Sequence, residues 1–327
     1  MESNSEKIMR RDLRRYFSTV GWALLLYFAL MNFSVLFVQF VEIILALWKQ
    51  VLHSDSGSAA GVFDGFYQGT WGYFLAAGIG IVILLAWKKT AYWKKVIWAR
   101  GRNMKTADFF GLACALISVQ VFFQVYSYLL EAILNVFGFS EIEGFIEMSE
   151  DIGGFAMFLY SGMLAPIAEE ILFRGLIQKT LVPYGKRFAV LGSSILFGLF
   201  HGNIIQAPYA FVCGLILGYT AAEYSIGWAM LLHMINNLVL ADLLGRVTAG
   251  LPEEISSSVY FSVILLCAVA ACIILLVRRR EVRAYKEQNP IPSECVRCFF
   301  TSAGIITFSV LMIISIVLTF FVCLIRI

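Results

Sequence analysis

The chain has 327 residues, of which 60% are hydrophobic and 14% charged, with a net charge of +3. Soluble domains carry about 25% charged residues, so this composition excludes a soluble globular protein. The small positive balance gives no reason to expect a nucleic-acid partner; the partner it implies is membrane lipid.

Continuous apolar runs long enough for a hydrocarbon core of about 30 Å predict an all-α, polytopic transmembrane helical bundle. Helices are chosen over a barrel because the runs do not alternate, and lipid leaves no other way to satisfy the backbone. In chain order the runs predict about nine spans: 16–47, 71–87, 107–137, 153–178, 188–205, 207–222, 226–242, 258–277 and 302–324. The first is too long for a signal-peptide core and reads as an uncleaved span that is tilted or broken.

Loop charge sets the orientation, because cytoplasmic loops hold the Lys/Arg excess. Basic clusters occur before the first run (Lys7, Arg10, Arg11, Arg14, Arg15), in 88–105, in 179–187 and in 278–286. The segment 138–152 is acidic instead. The reading is a multi-pass protein, most simply of the cell membrane, with the N-terminus cytoplasmic and the C-terminus outside. Seven cysteines form no disulfide framework: Cys114, Cys213, Cys267, Cys272 and Cys323 lie in apolar runs. Cys295 and Cys298 make one CxxC without a second pair or nearby histidines, which reads as ordinary reduced thiols.

The spans are nearly free of ionisable groups. Glu42 and Glu131 sit near outer ends and read as headgroup residues. The fourth, fifth and seventh spans differ: they hold Glu169, Glu170 and Arg174, then His201 with Asn203, then His233 with Asn236 and Asn237. A charge at the bilayer centre costs roughly 3 kcal/mol, so these groups need a compensating reason. Glu170 and Arg174 are i and i+4 and share a helix face, which reads as a structural ion pair. Glu169 is rotated about 100° away and can meet another neighbour. His233 and Asn237 are also one turn apart. At about 1.5 Å per residue, Glu169 and His233 lie roughly 15 Å, and His201 roughly 21 Å, from the basic edge.

Three spans thus place polar groups at a similar depth, which points to one site. A carboxylate with an imidazole can deprotonate water; a second imidazole and an amide can stabilise an oxyanion. This set suits amide hydrolysis. Taken singly, each histidine can equally be an interhelical hydrogen bond, Asn203 and Asn236 read as ties between helices, and Pro166 reads as a kink.

At these residues the sequence resembles the CPBP family of intramembrane proteases, the type II CAAX prenyl endopeptidases and bacteriocin-processing or Abi-like proteins. Its EExxxR motif appears as Glu169-Glu170-Ile171-Leu172-Phe173-Arg174, FxxxH as Phe197 to His201, and HxxxN as His233 to Asn237. The resemblance covers about 153–242 and suggests three blocks: N-terminal helices in 1–150, a catalytic core in 151–245 and C-terminal helices in 246–327. It implies that Glu169 and His201 activate water, that His233 and Asn237 form an oxyanion hole, and that Glu170 and Arg174 support them. It also implies a membrane-associated peptide or protein substrate, which in this family can be prenylated. No cofactor is expected. A zinc held by His201, His233 and a glutamate is the alternative; a non-proteolytic immunity or partner-binding protein and a proton-coupled transporter are others.

Overall fold

The computed structural model describes residues 4–53, 71–88, 90–97, 99, 101–144, 155–238, 247–248 and 250–326. The described chain is almost entirely helical. The helices are α1 (Asn4–His53), α2 (Trp71–Trp87), α3 (Thr90–Ile97) and α4 (Thr106–Val136), then α5 over 155–181. They continue with α6 (Lys186–Phe200), α7 (Gln206–Glu223), α8 (Ile226–Leu238), α9 (Glu253–Val277), α10 (Arg279–Gln288), α11 (Ser293–Phe300) and α12 (Ala303–Cys323). The expected block boundaries near 150 and 245, the acids Glu147, Glu150 and Asp151, and the end of the seventh expected span lie outside the described residues.

Among the described residues, four helices are long and apolar enough to cross a membrane, and five if the bent pair α2–α3 counts as one span. These are α1, α4, α9 and α12, besides that pair. They mark an integral membrane protein. Their apolar surface faces outward: only 11% of the most apolar window of α9 is buried, the reverse of a helix in a soluble core. The helices that carry the polar residues (α5 to α8) are shorter or less apolar and hold Glu170, Arg174 and His233 buried. The first span is not broken: α1 runs unbroken for 50 residues.

Two ends are distinguishable. At one, the basic segments find partners: Arg278 pairs with Asp108, Lys186 with Glu223 at 2.9 Å, and Arg10 with Glu294 at 2.6 Å. Arg187 donates to the Lys286 carbonyl at 3.0 Å. At the other end, β1 (Phe139–Ser140) pairs antiparallel with β2 (Ile325–Arg326), so the segment after α4 and the end of the chain share one side.

The core joins α1 and α11 to α6. Phe17 of α1, Phe188 of α6 and Phe299 of α11 are all buried and meet ring to ring at 5.6–5.7 Å. Below them α1 crosses α12 at Gly21 and Gly304, where an added Cβ on either would overlap the backbone of the other helix. The Gly304 N–H donates to Ser18 Oγ at 2.8 Å. Small residues let helix backbones approach this closely in lipid.

The β1–β2 end carries a pH-sensitive acid. Glu131 accepts the backbone N–H groups of Glu141 and Ile142, each at 3.3 Å. The Glu141 side chain is buried with neither carboxyl oxygen hydrogen-bonded. Burial first, and the neighbouring Glu131 charge second, push its pKa up to about 7 from 4.5. Between these values the folded form holds the proton more tightly than the unfolded form, so stability falls as pH rises through this window. Amide protection factors in 137–144 and 324–326, taken after dividing out the intrinsic base-catalysed exchange rate, are expected to fall from pH 5 to pH 7.5. Glu141→Gln should abolish that dependence, and an equal fall in the variant would contradict this assignment.

Candidate active site

The glutamate pair sits on a helix of changing pitch. Within α5, Tyr160–Leu164 and Ile171–Gln178 are π-helical, and the α-helical turn Ala165–Glu170 lies between them. Pro166 lacks an N–H and its ring crowds the preceding turn. The wider π-turn just before it accommodates both, so the expected kink takes the form of a local change of pitch. Such π-segments concentrate at functional sites. Gly162, in the first of them, packs against Leu238 of α8 so closely that a Cβ would displace the leucine.

Glu170 and Arg174 are fully buried, with Arg174 Nε 3.3 Å from Glu170 Oε2. The guanidinium lies 4.5 Å over the Phe197 ring and donates to the Gly214 carbonyl at 3.3 Å. Its Nε and Nη1 make no well-aligned hydrogen bond, so charge and the aromatic face hold it more than hydrogen bonding does. Glu170 does more than hold the arginine. Its Oε1 lies 3.0 Å from His233 Nδ1.

Glu169 also reaches His233, from the other side, with Oε2 3.7 Å from Nε2. Neighbouring helical side chains diverge by about 100°. They converge here because one imidazole presents two nitrogens in different directions. A carboxylate can only accept, so the bond to Glu170 assigns a proton to Nδ1 and turns Nε2 towards Glu169. The Glu169 side chain is 25% exposed and that of Glu170 is 0% exposed. Glu169 is therefore the carboxylate a substrate or water can reach.

His201 follows the last residue of α6. Its Nδ1 is 2.8 Å from the Phe197 carbonyl, which can only accept, so that nitrogen carries the proton. The Phe197 ring stands edge-on to both histidines, with centroids 4.9 Å from His201 and 5.9 Å from His233. Among the described residues no ion pair within 4 Å joins His201 to Glu169. The Phe197 ring, which meets both histidines, and His233, which meets Glu169, link the two indirectly. Asn237 donates to the Ser161 carbonyl at 2.9 Å, tying α8 to the first π-segment.

The other two amides differ from each other. Asn236 does tie helices: it donates to Tyr209 Oη of α7 at 3.0 Å, which in turn accepts from Gln120 of α4 at 2.9 Å. Asn203 ties only the consecutive helices α6 and α7: its amide donates to the His201 carbonyl at 3.1 Å, and its Oδ1 accepts the Gln206 N–H at 2.7 Å and caps the start of α7. Gly202 before it has φ of +65°, a conformation that suits glycine, and this tight turn brings α6 back as α7 just past His201.

Sequence reasoning missed two tyrosines. Tyr27 of α1 and Tyr160 of α5 both lie in the field of the Glu169 carboxylate. Tyr27 also meets Phe200 at 6.1 Å, and Tyr160 meets Tyr73 of α2 at 5.5 Å. The N-terminal helices thus wall the site. Their only sequence signal is a polar hydroxyl in an apolar run, which many packing tyrosines share. Among the described residues no three His, Cys, Asp or Glu side chains form a group suited to hold a metal ion.

Residues 151–239 match the family model described as Type II CAAX prenyl endopeptidase Rce1-like. That family is one of peptidases, and the match supports a CPBP-type intramembrane protease. It spans α5 to α8, the helices that carry the glutamates, Arg174, the histidines and the asparagines of the site. No curated protein and no solved structure matches the chain.

Proposed function

We propose, from the premise that residues 151–239 are those of a CAAX-type intramembrane peptidase, that this protein hydrolyses a peptide bond of a membrane-associated protein or peptide. The observation that carries the reading is the partly exposed Glu169 set against His233 at 3.7 Å, beside a Glu170–Arg174 pair that is wholly buried. Buried charge of this density inside a membrane protein is costly and marks function by default.

The chemistry runs through water. Glu169, with His201, takes a proton from a water molecule as its oxygen bonds to the substrate carbonyl carbon. Activation of this kind is worth about 10²–10⁴ in rate. The carbonyl oxygen gains the electron pair and meets two donors. One is His233 at Nε2, held in place at Nδ1 by Glu170. The other is the second amide hydrogen of Asn237, the first being held by Ser161. Each such donor is worth about 3 kcal/mol. The C–N bond then breaks as Glu169 passes the proton to the leaving nitrogen. Arg174 holds Glu170, and Glu170 orients His233, much as a carboxylate orients a catalytic imidazole.

The route needs no metal. Incubation with chelator is expected to leave the rate unchanged; stoichiometric zinc whose removal abolishes hydrolysis and whose return restores it would overturn this route. The chain is read as crossing the cell membrane about nine times, N-terminus inside, with the shorter α5–α8 completing the set. The substrate class is a membrane-associated polypeptide, prenylated or not. Comparative peptidomics of cells carrying wild-type or Glu169→Ala protein tests the function: the expected result is a membrane-associated polypeptide that stays uncleaved in the variant. Identical peptide profiles would defeat the proposal.

A further inference from the structure

A second feature lies outside the catalytic helices. A cavity of about 770 Å³ opens between the start of α1 and the α11–α12 turn. Its lining includes Lys7, Arg11, Arg14 and Arg15 from α1, Arg297 from α11, and Trp22 below them. Ser18, Thr19 and Thr301 add hydroxyls, and among the described residues no acidic one lines it. Of the acids nearby, Glu294 is engaged by Arg10 at 2.6 Å. Asp12 lies only 4.0 Å from Arg11, with both side chains 63% exposed, a separation and exposure that neutralise little.

Orientation signals account for basic residues at a helix end, but not for their convergence from two separate helices around one cavity. The close crossing bounds the cavity. Beside Trp22 the backbones of α1 and α12 come together at Gly21 and Gly304, level with the Ser18 and Ala303 that line it. Beneath the charges the surface turns apolar: Trp22, Leu26, Ile306 and Val310 are all exposed. A cationic cleft placed directly above an open apolar track matches an amphiphile with an anionic head.

We infer that this cleft binds an anionic phospholipid, with its phosphate among the arginines of α1 and Arg297 and its acyl chains along the α1–α12 surface. Basic pockets between membrane helices take anionic headgroups in this way, and each Lys or Arg near the surface adds about 1 kcal/mol. The arginine fork suits phosphate oxygens better than a lysine ammonium does. The apolar track argues for a lipid over a free phosphate.

The test uses the full chain in nanodiscs of phosphatidylcholine with and without phosphatidylglycerol, with retained lipid read by native mass spectrometry. The wild type is expected to retain phosphatidylglycerol selectively. The Arg11→Gln/Arg14→Gln/Arg15→Gln variant should bind it roughly 10–100-fold more weakly. The Lys88→Gln/Lys94→Gln/Lys95→Gln variant, equal in charge but outside the lining of the cleft, should bind as the wild type does. Equal weakening in both variants would mean diffuse attraction and would overturn the inference. So would displacement of the lipid by inorganic phosphate at matched concentration, which would mark a free-anion site. Should the triple arginine variant fail to fold, Arg297→Gln on the facing wall must weaken retention several-fold, and unchanged retention there overturns the inference equally.

Discussion

Replacing Glu169 by alanine or glutamine is expected to lower peptide-bond hydrolysis by about 10²–10⁴-fold with little change in thermal stability. Glu169 is the one carboxylate of the site with exposed surface, and His233 Nε2 is 3.7 Å away. Its removal leaves the Glu170–Arg174 pair and the Glu170–His233 hydrogen bond in place. Glu169→Gln keeps the shape and withdraws only the base, so its loss should match that of Glu169→Ala. His201→Ala should fall by a comparable factor if the two residues act on one water. The measurement is single-turnover cleavage by purified protein, alongside unfolding temperature. Normal cleavage by both the Glu169 and the His201 variants would remove the protease assignment.

Arg174→Ala is expected to act in the opposite sense, on stability first. The guanidinium and the Glu170 carboxylate are both fully buried, and removing one partner of such a pair costs about 3–5 kcal/mol because a charge is left without compensation. The contact over Phe197 at 4.5 Å is lost as well. Activity should fall with stability, since Glu170 then has no reason to hold His233 Nδ1. The double variant Glu170→Gln/Arg174→Met removes both charges and should unfold less readily than either single variant, a coupling that neighbours in one network show. Denaturant unfolding in detergent micelles reads both effects. A loss below about 1 kcal/mol for Arg174→Ala, the range of exposed pairs, would contradict the view of this pair as the brace of the site.

These two outcomes divide a dipeptide that looks uniform on paper. The pairing of Glu170 with Arg174 was readable from the i, i+4 spacing alone, because local helix geometry decides it. Its second partner was not. Nothing in the spacing says that Glu169 and Glu170 will close on opposite nitrogens of one imidazole, since that depends on where α8 packs against α5. The π-segments on either side of the pair left only Pro166 as a trace, and a proline in a helix more often signals a bend. Asn203 shows the same limit from the other direction: beside a histidine it looked like a tie between packed helices, but the turn at Gly202 makes it a cap between consecutive ones.

The outer blocks were the least legible. The last family motif ends at Asn237, and the first 150 residues carry none. Even so α1 brings Tyr27 towards Glu169, and α1 with α11 and α12 builds the basic cleft. What the sequence by itself determined was composition-driven: a helical membrane protein, its basic end, and which three spans hold charge that lipid would reject. Those follow from transfer free energies and from helix periodicity, which need no partner to be defined. The convergence on His233, the wall of tyrosines and the cleft beside Gly21 were decided only by tertiary structure. They depend on which helices touch and at what crossing, and packing between segments hundreds of residues apart leaves no local signature.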